Sequence, residues 1–113
     1  MPTVLITGAN RGLGLEFTRQ YAADGWDVLA CCRQPKKADK LQTLAKENKK
    51  IRVETLDVSD FNAPAKLAEK LKGISLDILI NNAGIFSIGG SSFYGFYLFW
   101  NRKWKFIFQF CHV

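Results

Sequence analysis

An apolar strand that runs without a break into a glycine-rich turn leaves this chain few folds to choose from. The segment is Thr3-Val4-Leu5-Ile6-Thr7-Gly8-Ala9-Asn10-Arg11-Gly12-Leu13-Gly14. Its spacing predicts a strand that turns sharply into a helix, with a phosphate lodged against the first helical amides. Gly8 would allow the tight turn, Gly12 the close approach of backbone to a diphosphate, and Gly14 the packing of helix on strand. Three glycines at this spacing are a weak signal alone. At the end of a strand and the start of a helix they point to a bound nucleotide.

The residues that follow alternate regularly. Thr3–Thr7 reads as a buried strand and Leu13–Ala23 as a helix with Leu13, Phe17 and Tyr21 on its apolar side. Asp24-Gly25 ends that helix, the glycine suiting a left-handed cap. Strands are expected at Asp27–Cys32, Ile51–Leu56 and Leu76–Ile80. An exposed helix over Pro35–Asn48 turns Leu41, Leu44 and Ala45 inward. Another follows Ser59 or Asp60 as cap, tolerates Pro64 in its first turn, runs to Lys72 and closes at Gly73. Strand and helix in alternation imply an α/β, doubly wound parallel sheet, and right-handed crossovers favour the strand order 3-2-1-4.

Composition divides the 113 residues into two unlike parts. All ten acids lie between Glu16 and Asp77, whereas Phe86–Val113 holds none, with three cations and eleven of the fifteen aromatics. Half of the net charge of +6 therefore belongs to the tail, and the rest is too small and too mixed with acids to suggest nucleic acid. The apolar run Phe93–Trp100 is broken by Gly95 and ended by Asn101-Arg102-Lys103, far short of the roughly 20 residues of a membrane span. No signal peptide is visible. Three cysteines, two of them adjacent at Cys31 and Cys32, form neither a disulfide framework nor metal-ligand spacing. No metal is expected, and a reducing, cytoplasmic setting is the simplest reading.

Three further places carry chemistry. Arg33 follows the second strand, where a dinucleotide's adenosine ribose would lie. A carboxylate there would accept from a 2′-hydroxyl and repel a 2′-phosphate; this strand ends Cys31-Cys32-Arg33 with no acid. Arg11 and Arg33 together could clamp a phosphate, which favours NADP(H). Asp57 could accept from an adenine amino group while the Val58 amide reads a ring nitrogen. Asn81-Asn82-Ala83-Gly84 follows the fourth strand, with small residues to pass beneath a ribose and amides to tie neighbouring strands.

Thr7–Gly14, Asp57-Val58 and Asn81–Gly84, in this order, resemble the short-chain dehydrogenase/reductase family. Arg11 and Arg33 look like its NADP(H)-preferring members, and Ile6–Glu16 is similar to its carbonyl-reductase branch, which includes C-factor-like proteins. The resemblance covers about residues 3–85. It implies a Rossmann-type fold and hydride transfer between NADPH and a small-molecule carbonyl or alcohol. Residues 1–85 would form the NADP(H)-binding half-domain, with Gly8, Asn10, Arg11, Gly12, Leu13, Gly14, Arg33, Asp57, Val58, Asn81, Asn82, Ala83 and Gly84 at the cofactor.

The departures bear on catalysis. The family pairs a carbonyl-orienting serine with a tyrosine whose pKa is lowered by a lysine four residues on. Four residues beyond Tyr21, Tyr94 and Tyr97 lie Gly25, Leu98 and Asn101. Ser91 and Ser92 stand too close to Asn81–Gly84 for the serine, so no catalytic residue is assigned, and the C-terminal half of the family fold is missing. The tail, 86–113, reads as one or two strands or as no stable structure. It is most simply sequence foreign to the family, such as a shifted reading frame or an alternative end. Alternatively its aromatics cover the edge of the fourth strand, pair with another chain, or touch a membrane interface. The chain is thus expected to be the cofactor-binding half of an NADP(H)-dependent carbonyl reductase. The alternatives are a non-catalytic dinucleotide- or protein-binding module, and an unstable product.

Overall fold

Side chains alternate across a strand, and along the first strand that alternation sorts the helices onto two faces. In the computed structural model, which describes residues 2–57, 60, 62–82 and 106–109, β1 is Thr3–Ile6. Four further strands follow in chain order: β2 (Asp27–Cys32), β3 (Ile51–Thr55), β4 (Ile78–Asn81) and β5 (Phe106–Gln109). Val4 and Ile6 join Val28, Ala30 and Ile80 on one face, covered by helices α1 (Gly12–Ala23) and α2 (Asp39–Glu47) through Ala22 and Leu41. Leu5 joins Leu29, Cys31 and Leu79 on the other face, covered by α3 (Ala63–Lys70) through Leu67 and Ala68, with Leu71 just beyond it. All pairings are parallel, and the order is β3-β2-β1-β4-β5.

The fold is the expected Rossmann-type doubly wound sheet, with the first four strands in the order 3-2-1-4. Leu29, Leu5 and Leu79 lie in one row across its centre, each in register with the next. The fifth strand comes from the tail and covers the edge of β4, with Phe106 opposite Ile78 and Gln109 opposite Asn81. The rest of residues 86–113, including Ser91 and Ser92, lies outside the described residues.

Several local expectations need correction. The buried stripe of α1 is Gly14, Thr18 and Ala22, one position on from the predicted one; Phe17 and Tyr21 pack at its flank and Leu13 is 47% exposed. Small side chains face the sheet because they let the helix axis approach it closely. The helix expected over Pro35–Asn48 is split. A 3₁₀ turn at Pro35–Lys37 is followed by Ala38, whose ψ of 67° is incompatible with a helix and whose side chain is buried. Leu41 is fully buried, and Leu44 and Ala45 pack partly buried against the same core, as predicted.

At α3 the N-cap is Asn62, without a side-chain cap. Asp60 does not cap the helix; its Oδ1 accepts from the Asn62 amide at 2.9 Å, a turn ahead of the helix. Ser59 is outside the described residues. The helix ends at Lys70, and a turn through Gly73 (φ 93°) replaces its last predicted residues. Beyond α1, Gly25 does adopt the left-handed conformation, φ 86°.

Candidate cofactor site

β1 has β2 on one side and β4 on the other, so the strand order reverses at its carboxyl end. Open parallel sheets bind ligands in the crevice outside the strand ends at such a point. Two chain segments leave the sheet here, Thr7-Gly8 after β1 and Asn82 after β4, and they are bonded to each other. The Thr7 amide donates to the Ile80 carbonyl at 3.0 Å, the Asn82 amide to Thr7 Oγ1 at 3.0 Å, and Asn82 Nδ2 to the Gly8 carbonyl at 3.2 Å. Asn82 is 8% exposed, and its buried Oδ1 has no hydrogen-bond partner among the described residues.

The turn takes the course its glycines require. Gly8 and Gly12 have φ of 63° and 56°, a region closed to most side chains. Gly14 is needed for space instead. A Cβ there would fall 2.1 Å from the Gly8 carbonyl oxygen and 2.7 Å from Asn82 Nδ2. A Cβ on Gly12, by contrast, would meet nothing within 4 Å, so the backbone at the amino end of α1 borders open space. Arg11 occupies the N-cap in an extended conformation, no side chain caps the helix, and its first turn has no acid. Helical amides at an end that no side chain caps suit an anion held against the helix. The residues present therefore fit a dinucleotide's diphosphate.

The other predicted residues surround this end of the sheet. Asn10 is half-buried, and Arg11, Gly12, Leu13 and Arg33 are exposed. Arg33 follows β2 directly. Asp57, half-buried, lies two residues beyond β3. Asn81 ends β4. Val58, Ala83 and Gly84 lie outside the described residues. Sequence reasoning missed two participants. Thr7 Oγ1 receives the Asn82 amide, and Thr18, fully buried, donates to the Gly14 carbonyl at 2.8 Å. A hydroxyl at the end of an apolar strand, and another four residues past a glycine, were the available signals.

A second polar cluster lies on β3. Glu54, 5% exposed, accepts from Arg52 Nε at 2.5 Å and Lys70 Nζ at 2.9 Å, joining the edge strand to α3. Burial pushes its carboxyl up, but the hydrogen bonds from Lys70 and Arg52 outweigh this and hold it below the usual carboxylate value. Cys31 and Cys32 are both buried and free, on opposite faces of the sheet. Burial raises both thiols, Cys31 further through the nearby Glu54 charge. Among the described residues no cluster of ligating side chains could hold a metal, and no helix is long and apolar enough to cross a membrane.

The pattern of the short chain dehydrogenase family matches residues 2–109. The chain belongs to this family of oxidoreductases. The match runs past Ile85, where the motif-based resemblance stops, to residue 109. (+)-Neomenthol dehydrogenase of Arabidopsis thaliana is 40% identical over 88 residues, covering 72% of this chain and 30% of the relative. A short-chain dehydrogenase/reductase from Burkholderia multivorans, solved with bound NADP, is 38% identical with a TM-score of 0.69, covering 74% of this chain and 36% of that one. A carbonyl reductase from Pseudomonas aeruginosa PAO1 in complex with NADP shares the fold at a TM-score of 0.81 and 24% identity, over 92% of this chain and 56% of that one. The chain thus spans about a third of the length of the curated relative.

Proposed function

We propose that this chain is the NADP(H)-binding segment of a carbonyl reductase. The observation that carries the reading is the open amino end of α1, flanked by Arg11 and faced by a β2 terminus that carries Arg33 and no carboxylate. Family membership and the NADP-bound neighbours support a nicotinamide dinucleotide; the two arginines favour its 2′-phosphorylated form. When bound, NADP(H) supplies or accepts a hydride at its nicotinamide ring. Amides of Gly12, Leu13 and Gly14 hold the diphosphate, with Gly8 and Asn10 shaping the turn. Arg11 and Arg33 pair with the 2′-phosphate. Asp57 and Val58 read the adenine, and Asn81–Gly84 pass beneath a ribose. Three cysteines without a disulfide framework accord with a reducing, cytoplasmic setting.

The 113 residues hold no Tyr-x-x-x-Lys, so on this reading the groups that would move the substrate's proton are not among them. Titration of the chain with NADPH and NADH, followed by nicotinamide fluorescence, tests the cofactor half: NADPH should bind at least about tenfold more tightly. Equal affinity would remove the NADP preference, and no binding of either would remove the reading. Carbonyl reduction by the chain alone would overturn the claim about the missing proton-moving groups. One observation favours a second use of the tail. The strand β5 lies along β4 and is the outermost described strand, so its far edge offers a place for self-association or for another chain.

A further inference from the structure

From Arg33, just past the end of β2, to Lys40, at the start of α2, four of eight residues are exposed cations. Lys36, Lys37 and Lys40 are all exposed, and Asp39 is the sole acid of the stretch 33–40. The stretch is built as a fixed ledge. The Lys37 amide donates to the Gln34 carbonyl at 3.0 Å, Ala38 to the Pro35 carbonyl at 3.1 Å, and Gln42 Nε2 to that same carbonyl at 2.9 Å. Ala38 anchors it in the core at 5% exposure. Acids at the neighbouring β3 end are Asp57, half-buried, and Asp60, exposed. Counting Arg11 and Arg33, the described segments that follow β1, β2 and β3 here hold five cations and three acids.

We infer that Lys36, Lys37 and Lys40 form a steering rim, which speeds the arrival of a phosphorylated dinucleotide without gripping it once bound. The inference rests on the cofactor reading above and assigns these lysines a kinetic role apart from Arg33. Exposed charges around a ligand's entrance raise association rates through a field that salt screens, while contacts made in the complex set the dissociation rate. A dinucleotide with a diphosphate and a 2′-phosphate carries several negative charges to be drawn in. The hydrogen-bonded ledge carries these three charges three to seven residues beyond Arg33, with their side chains exposed to water.

Stopped-flow binding of NADPH to the full chain separates the two roles. With K36E/K37E/K40E, the association rate constant at low salt should fall by about threefold or more. The difference should largely vanish near 1 M salt, where the screening length is only about 3 Å, and the dissociation rate should change less than about twofold. Substitution to glutamine should give the same effect with a smaller amplitude. An unchanged association rate, or a rise in dissociation with association intact, overturns the steering role. Failure of the unaltered chain to bind NADPH at all overturns the cofactor reading itself and removes this inference with it.

Discussion

Gly14 lies so close to Asn82 that it has no room for a side chain: the Cβ it lacks would stand 2.7 Å from Asn82 Nδ2. The contact links the first turn of α1 to the segment after β4. Gly14→Ala should therefore displace both the Gly8 carbonyl and Asn82, destabilising the chain by about 1–3 kcal/mol in urea unfolding. NADPH binding should weaken with it. A variant of unchanged midpoint would mean that the turn relaxes freely.

Asn82 itself offers an ordered series. Asn82→Ala loses the bond to the Gly8 carbonyl and should reduce stability by about 1 kcal/mol. Asn82→Asp sets a carboxylate oxygen against that carbonyl and should be worse at neutral pH. Unfolding midpoints in the order Asn, Ala, Asp are expected, and recovery of the aspartate variant on acidification would identify charge as the cause.

For Arg33 the discriminating measurement is a ratio. Arg33→Glu should weaken NADPH about 10- to 100-fold, the loss of a charge-assisted contact, and leave NADH within a fewfold. Equal loss for both cofactors would place Arg33 away from the 2′-phosphate.

Glu54 makes stability depend on pH. Its folded carboxyl is held below the ordinary value of 4.5, so its contribution is present above that pH and lost as pH falls through the depressed folded value. Lys70→Met removes one partner from a buried carboxylate and should destabilise by about 1–3 kcal/mol at pH 7. The gap between the two proteins should close below about pH 4.5. A gap that persists into acid would make Lys70 a packing residue only.

In a Cys111→Ser background, Cys31 and Cys32 should resist a thiol reagent at neutral pH until denaturant is added. Both are buried, and burial lifts both thiols above their ordinary value. Rapid reaction of the native protein would show that the sheet opens locally.

The glycine turn was legible because each glycine answers a different demand: left-handed backbone at Gly8 and Gly12, lack of room at Gly14. Strand order followed from alternation of elements and handed crossovers alone. The face of α1 was misjudged because hydrophobicity was used where closeness decides. Gly14, Thr18 and Ala22 are the small residues that let the helix down onto the sheet, while Leu13 stays near the crevice in solvent. The bonds from Asn82 to Thr7 and Gly8 could not be read from spacing, because partners 74 and 75 residues apart meet only through the fold. Strand β5 along the edge of β4 was one of several alternatives the sequence left open. Alternating aromatics in the tail suit a strand, but alone they do not choose between the edge of β4, another chain and a membrane interface.

The central position of β1 also has a consequence for how the protein comes into being. Of the strands described, the earliest in the chain is the one that ends in the middle. It gains β2 early but waits for β4 until Asp77 arrives to bond Thr3, 74 residues on. A nascent chain shorter than that carries an apolar strand with one open edge, so cooperative folding should begin only once β4 has left the ribosome. Force or protease applied to stalled chains of increasing length should show protection rising in one step at that point.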